Sequence, residues 1–191
     1  MRITVVSNNC TRRRGFVAEH GLSLLVNWRG KRVLFDVGQG LALPTNLAQL
    51  KRSLKEIDAI ALSHGHYDHG GALEWMATED DSRLPSLYAH PDAFYPRFRR
   101  EDGALKRISI PNAAAGSEAP WPKRVSSKEP QQLLPELWLS GEIQPRHPEE
   151  KDAAEFLIDR GQGPQPDPFL DDQALFAETH SGVVILTGCA H

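Results

Sequence analysis

Cysteine is scarce in this chain of 191 residues, with only Cys10 and Cys189 present. Two distant cysteines cannot build the disulfide framework of small secreted domains, and nothing around them supports a single bridge. Long hydrophobic runs are also missing. No stretch approaches the roughly 18 apolar residues that a membrane-spanning helix needs. The opening Met1-Arg2-Ile3-Thr4-Val5-Val6 is too short and too strand-like for a secretory leader. These absences lead to the expectation of a cytoplasmic protein with no membrane partner. No charge of one sign dominates either: 22 Lys and Arg face 25 Asp and Glu, a formal charge of −3. That balance argues against a nucleic-acid partner. The one dense basic cluster, Arg12-Arg13-Arg14, reads as a solvated or anion-facing loop. Internal repeats are absent by exact match. What is there is enough apolar material for a core, at 40% of residues, with 14 prolines and 15 glycines mostly between the periodic segments. This is the composition of one globular domain with real loops.

Alternation of apolar residues predicts a first strand over 2–7. Residues 22–27 and 32–35, separated by Trp28-Arg29-Gly30-Lys31, predict a β-hairpin with a tight turn. Its second strand delivers Asp36 before Gly38 and Gly40 break the chain. Leu47, Leu50 and Leu54 then mark one face of an amphipathic helix, with Thr45 or Asn46 as its cap. Residues 57–63 read as a buried strand, 72–76 as the start of a helix, and 87–90 as a short strand. Phe94, Tyr95 and Phe98 are expected to pack inward. Ile108 and Ile110 suggest a short strand, 111–117 a surface loop, 137–140 another strand, and 144–168 a long excursion with little periodicity. A second hairpin over 173–179 and 182–186 runs into Thr187-Gly188-Cys189-Ala190-His191.

The chemistry concentrates at the end of the buried strand. His64, His66, Asp68 and His69 are four potential metal ligands within six residues. A chain leaving a strand can turn His64 and His66 toward one ion, and Asp68 and His69 toward a second beside it. Imidazole nitrogen and carboxylate oxygen suit zinc, iron and manganese. Gly65 removes bulk between ligands, while Gly70 and Gly71 allow a tight turn into the next helix. Asp36, at a neighbouring strand end, is expected to orient a ligand histidine or a water. His191 and Cys189 form a third patch that could complete an ion's coordination, although Cys189 is equally readable as a small inert core residue. His90 is a weaker candidate of the same kind. His147 and His180 read as solvated, and His20 as lining the pocket or pairing with Glu19.

The stretch Ser63-His64-Gly65-His66-Tyr67-Asp68-His69-Gly70-Gly71 resembles the His-x-His-x-Asp-His signature of the metallo-β-lactamase superfamily. The blocks 18–23, 34–39, 140–143 and 186–191 are similar to the branch containing the archaeal 7,8-dihydropterin-6-yl-methyl-4-(β-D-ribofuranosyl)aminobenzene 5'-phosphate synthase. The resemblance implies an α+β fold, the four-layered αβ/βα sandwich with a one- or two-metal centre. It implies metal roles for His64, His66, Asp68 and His69, a structural or orienting role for Asp36, and a place near the centre for His191. This chain departs from the pattern by stopping at His191, where relatives continue for several dozen residues and usually supply another histidine ligand. Residues 1–191 are therefore expected to form a single domain incomplete on its C-terminal side, with a fragment favoured over a reduced second half or a fold completed by a partner chain.

These observations lead to a metal-dependent hydrolase. The expected cofactors are two divalent ions, zinc first, with manganese, iron or magnesium as alternatives. An ion-activated water would attack a phosphoester or other ester-like small molecule, with Asp68 and Asp36 as the catalytic carboxylates and His64, His66, Asp68, His69 and His191 on the metals. Arg12–Arg14 could recognise a substrate phosphate. One rival is a synthase that condenses a pterin diphosphate with an arylamine, with Tyr67, Phe94 or Trp138 offering an aromatic surface. Another is a metal-binding module without catalysis. The expected partner is a small-molecule substrate, for which a phosphorylated or pterin-like compound is one option, and a homo-oligomer or a completing chain is a further option.

Overall fold

The computed structural model describes residues 1–78, 84–112, 121–143 and 154–191. Its first strands are β1 (Arg2–Ser7), β2 (Ser23–Trp28) and β3 (Lys31–Phe35). The β2–β3 hairpin closes through Arg29 and Gly30, both at positive φ. This matches the two-residue turn whose twist suits paired strands. Helix α1 (Leu43–Gln49) leads to β4 (Ala59–Ala61), then α2 (Tyr67–Gly70), α3 (Ala72–Met76) and β5 (Ser86–Ala89). β6 (Arg97–Glu101), β7 (Ala104–Arg107), β8 (Arg124–Ser126), β9 (Gln131–Leu134) and β10 (Leu137–Leu139) follow. The chain continues through β11 (Phe156–Ile158), β12 (Gln165–Pro166), β13 (Ala174–Thr179) and β14 (Gly182–Thr187).

These strands form a six-stranded sheet ordered β1-β2-β3-β4-β5-β8 and two four-stranded sheets, β14-β13-β10-β9 and β12-β11-β6-β7. One core lies between the large sheet and its helices, where Leu34, Leu43, Leu47, Ile60, Leu73 and Met76 are buried together. The second core lies between the large sheet and the β9–β10–β13–β14 sheet, filled by Val33, Phe35, Ala61, Leu137, Leu139 and Leu175. The described residues thus supply three layers of the sandwich: helices, sheet and sheet.

Strands β3, β4, β5 and β8 run parallel. Parallel strands bring their C-terminal ends to one edge, where ligand sites of such sheets collect. Asp36 and Ser63-His64 therefore emerge side by side.

Several local expectations are corrected. α1 starts at Leu43, with Pro44 in its first turn and Ala42 as its cap, so neither Thr45 nor Asn46 caps it. Asn46 is buried and instead ties β1 to the following loop. Its amide donates to the carbonyls of Val6 and Val17 at 2.7 and 2.8 Å and accepts from the Val17 N–H at 2.8 Å. Leu54 lies beyond the helix, in a separate 3₁₀ turn with a capping box at Ser53. Ile108 and Ile110 do not form a strand, because Ile110 turns into the helix-side core and its N–H donates to the Gly65 carbonyl. The region read as an excursion contains β11 and β12, and β11 pairs with β6. Most of the expected 111–117 loop and His147 lie outside the described residues.

Candidate metal centre

Asp36 anchors the site from beneath. It is fully buried and holds φ at 57°, a left-handed conformation open to Asp. One carboxylate oxygen accepts from the Ser63 N–H at 2.7 Å. The other accepts from the Ser63 hydroxyl and lies 2.7 Å from His69 Nδ1. Backbone bonds lock the same loops together: Val37 N–H donates to the His69 carbonyl at 2.8 Å and Leu22 N–H to the Asp68 carbonyl at 3.2 Å.

His64 and His66 follow on the turn between β4 and α2, His69 sits within α2, and all three are buried. His64 Nδ1 meets the Ser63 hydroxyl at 2.8 Å, and His64 Nε2 lies 3.0 Å from His66 Nδ1. The third patch arrives from the other sheet at the end of β14. The His191 ring centroid lies 5.0 Å from that of His64 and 5.1 Å from that of His66. Two groups of potential ligand atoms result, His64–His66–His191 and His64–His69–Cys189, each within 4.8 Å of one another. Cys189 Sγ sits 3.1 Å from His69 Nε2. Asp68 flanks the second group, with its Oδ2 3.5 Å from His69 Nε2 and 3.4 Å from His20 Nε2.

The donor set fits a metal. Buried nitrogen atoms normally find partners. Yet the Nε2 atoms of His66 and His191 are buried with no hydrogen-bond partner among the described residues. Burial, followed by the neighbouring histidines and Arg97, drives the His64 pKa well below its ordinary value. Burial, then Arg97, takes His66 down to about 2, and burial lowers His191. These imidazoles are held neutral, the form that binds metal. Burial opposes charge on His69 too, but the Asp36 carboxylate and its hydrogen bond outweigh it and raise that pKa to about 11. Imidazole with thiolate or carboxylate is a donor set for zinc or iron.

The other candidates separate. His90 is fully buried away from these groups; its Nδ1 accepts from the Asp92 N–H and its Nε2 meets Glu142 at 3.1 Å. His20 faces Asp68, while Glu19 turns inward to the loop before α1. His180 is exposed. The arginine run borders α1: Arg13 lies over Phe16 at 4.7 Å and lines a cleft with Asn46 and Leu50. Phe94 packs in the core and Trp138 stacks on Phe176 at 6.4 Å in the far sheet. The rings beside the histidines are Phe156 and Phe169, neither singled out in sequence. Asp167, Asp171 and Arg97, buried next to the turn, were missed too; isolated charges in sequence read as solvated.

Known proteins agree with this geometry. The metallo-beta-lactamase superfamily profile matches residues 18–191. The 7,8-dihydropterin-6-methyl-4-(beta-D-ribofuranosyl)-aminobenzene-5'-phosphate synthase of Methanocaldococcus jannaschii is 31% identical over 190 residues, covering 92% of this chain and 63% of that protein. An uncharacterized protein of the same archaeon is 30% identical over 182 residues, covering 92% and 64%. A solved metal-dependent hydrolase of the beta-lactamase superfamily superposes with a TM-score of 0.75 at 25% identity, covering 99% of this chain and 66% of its own. The chain thus spans a little under two thirds of the length of these relatives. With the signature turn at the strand edge, the sandwich around it and the profile match across residues 18–191, this chain belongs to the metallo-β-lactamase superfamily.

Proposed function

We propose that the chain carries the metal centre of a hydrolase acting on an ester-like small molecule, a phosphoester first. The observation that carries this reading is the convergence of His64, His66 and His191, with two buried Nε2 atoms unpartnered, beside Asp68. His64, His66 and His191 would hold one divalent ion; Asp68, Cys189 and, with its Nε2 proton displaced, His69 would donate to a second. Ions held there would supply Lewis acidity and lower the pKa of an adjacent water toward neutrality. Asp68, with 12% of its side chain exposed, would hold that water and take its proton. Asp36 is too deeply buried to touch substrate and acts by fixing His69 and Ser63. The likeness to a solved metal-dependent hydrolase supports the reaction class.

The test is elemental analysis of freshly purified protein, paired with turnover of nitrophenyl phosphomonoesters and phosphodiesters. About two metal equivalents are expected, falling toward one in Asp68→Ala, with turnover reduced about 100-fold or more while the fold is kept. Turnover unchanged in Asp68→Ala overturns its role.

A second reading follows from the archaeal relative, a synthase by name. The same donors would then orient a pterin diphosphate while an arylamine displaces diphosphate. Release of diphosphate that depends on the arylamine, without ester hydrolysis, selects this reading.

A further inference from the structure

The turn that carries His64 and His66 is gripped from outside by a segment remote in sequence. Residues 167–173 touch the site at three points. The Phe169 ring stacks on His191 with centroids 4.3 Å apart and planes 12° from parallel. Asp171 Oδ2 accepts the Gly65 N–H at 2.8 Å. The Gln173 N–H donates to the Ser63 carbonyl at 2.9 Å. Behind this segment lies Arg97, 1% exposed, at the start of β6. Its Nε donates to Asp167 Oδ2 at 2.7 Å and its Nη1 to the Asp92 carbonyl at 2.9 Å. Its Nη2 forms an ion pair with Asp171 Oδ1 at 2.7 Å, without hydrogen-bond alignment. The fit is close on the other side as well, since a Cβ at Gly65 would collide with the Ala93 carbonyl and the Arg97 guanidinium.

Burying an arginine with two carboxylates is an inefficient way to gain stability, because desolvation offsets most of the attraction. The arrangement does set geometry: Arg97 holds the brace at Asp167 and Asp171, and the brace touches the turn on either side of His64. We infer that Arg97 and Asp171 are positioning residues for the His64–His66–His191 site. They set the spacing of His64 and His66 through Gly65, while Phe169 sets the plane of His191. This rests on the reading of those three histidines as metal ligands.

Cobalt titration tests it, read by the visible ligand-field band and by competition with a chelating dye, alongside circular dichroism of the metal-free protein. Asp171→Ala is expected to weaken cobalt binding by ~10–100-fold and to shift the band, as partners of ligating groups typically do. Asp171→Asn, which keeps an oxygen for the Gly65 N–H, should recover most of that affinity. Phe169→Leu should shift the band with the ion pair intact. A role in stability alone would lower the melting point and leave the band in place. Wild-type binding with an unmoved band in Asp171→Ala overturns the inference and leaves the metal reading standing. Should Asp171→Ala fail to fold, Phe169→Leu decides, and an unmoved band overturns the inference. A wild-type protein that binds no cobalt overturns both.

Discussion

Four histidines in one cluster answer to opposite electrostatics. His64, His66 and His191 have pKa values below the ordinary 6.5, chiefly from burial, and His69 has one raised to about 11, because Asp36 outweighs burial. Unfolded histidines take up protons near pH 6.5. The folded chain resists this at three positions, so below that pH the unfolded state binds more protons and the metal-free protein loses stability as pH falls. His69 acts in the other direction. Its contribution is full below pH 6.5, declines above it and is gone once pH passes about 11. Melting of chelator-treated protein across pH 4.5–9.5 should therefore show a maximum between about 6 and 7, with a steeper fall on the acid side. Asp36→Asn keeps a residue tolerant of positive φ but removes the charge facing His69, and should flatten the alkaline limb. An alkaline limb as steep as wild type would contradict the Asp36–His69 pairing. The ligand cluster was legible because its members are contiguous: the pattern from His64 to His69 needs only one turn to converge. Arg97 was illegible for the opposite reason. Its partners Asp167 and Asp171 lie 70 or more residues away, and nothing local distinguishes a buried arginine from a solvated one.

Short elements at the strand ends depend on caps that come from elsewhere in the chain. The loop before α1 is satisfied by Glu19, whose carboxylate accepts from the N–H groups of Gln39, Leu41 and Ala42 at 3.1, 2.8 and 2.9 Å and from the Ser7 hydroxyl at 2.8 Å. Ala42 has no capping side chain of its own, so a remote carboxylate does the work that Ser or Asp does locally. The loop it holds is the one that packs on the signature turn, where Ala72 N–H donates to the Gly38 carbonyl. Glu19→Ala should destabilise the protein by about 3 kcal/mol, given several hydrogen bonds to one buried carboxylate. Urea unfolding measures this, and a loss under about 0.5 kcal/mol would show that water replaces the carboxylate without penalty. Of the face read as Leu47, Leu50 and Leu54, the first two hold at the end of α1, while Leu54 falls in the next turn. The position of the helix start was not readable, because the group that satisfies it comes from over twenty residues upstream.

Across the molecule, the site joins two sheets. Asp36 and the signature turn come from the large sheet, while Cys189 and His191 come from the end of β14 in the second. The core between the sheets is therefore part of the site's geometry. Leu139, fully buried there with Phe35 and Leu175, holds the second sheet in place. Leu139→Ala should cost about 2–5 kcal/mol of stability and also weaken metal binding, since the strands that deliver His191 lose support. Stability lost with metal affinity intact would place His191 outside the coordination sphere. The outer face of that second sheet carries Trp138 and Phe176 with Val183 and Ile185, which are 60% and 62% exposed. No helix among the described residues covers it, which is why three layers rather than four are seen.

The sequence by itself determined the secondary periodicity, the two hairpins, the turn with its four clustered candidate ligands and the superfamily. Each depends on residues near in the chain, or on a pattern of blocks kept in order. The sequence offered His191 and Cys189 as candidates, and the tertiary structure decided which distant groups support that turn: Glu19 at the start of α1, Phe169 against His191, and the Arg97–Asp171 brace against Gly65. Such meetings are made by packing strands of three sheets and the loops between them into one volume, and sequence spacing carries no record of them.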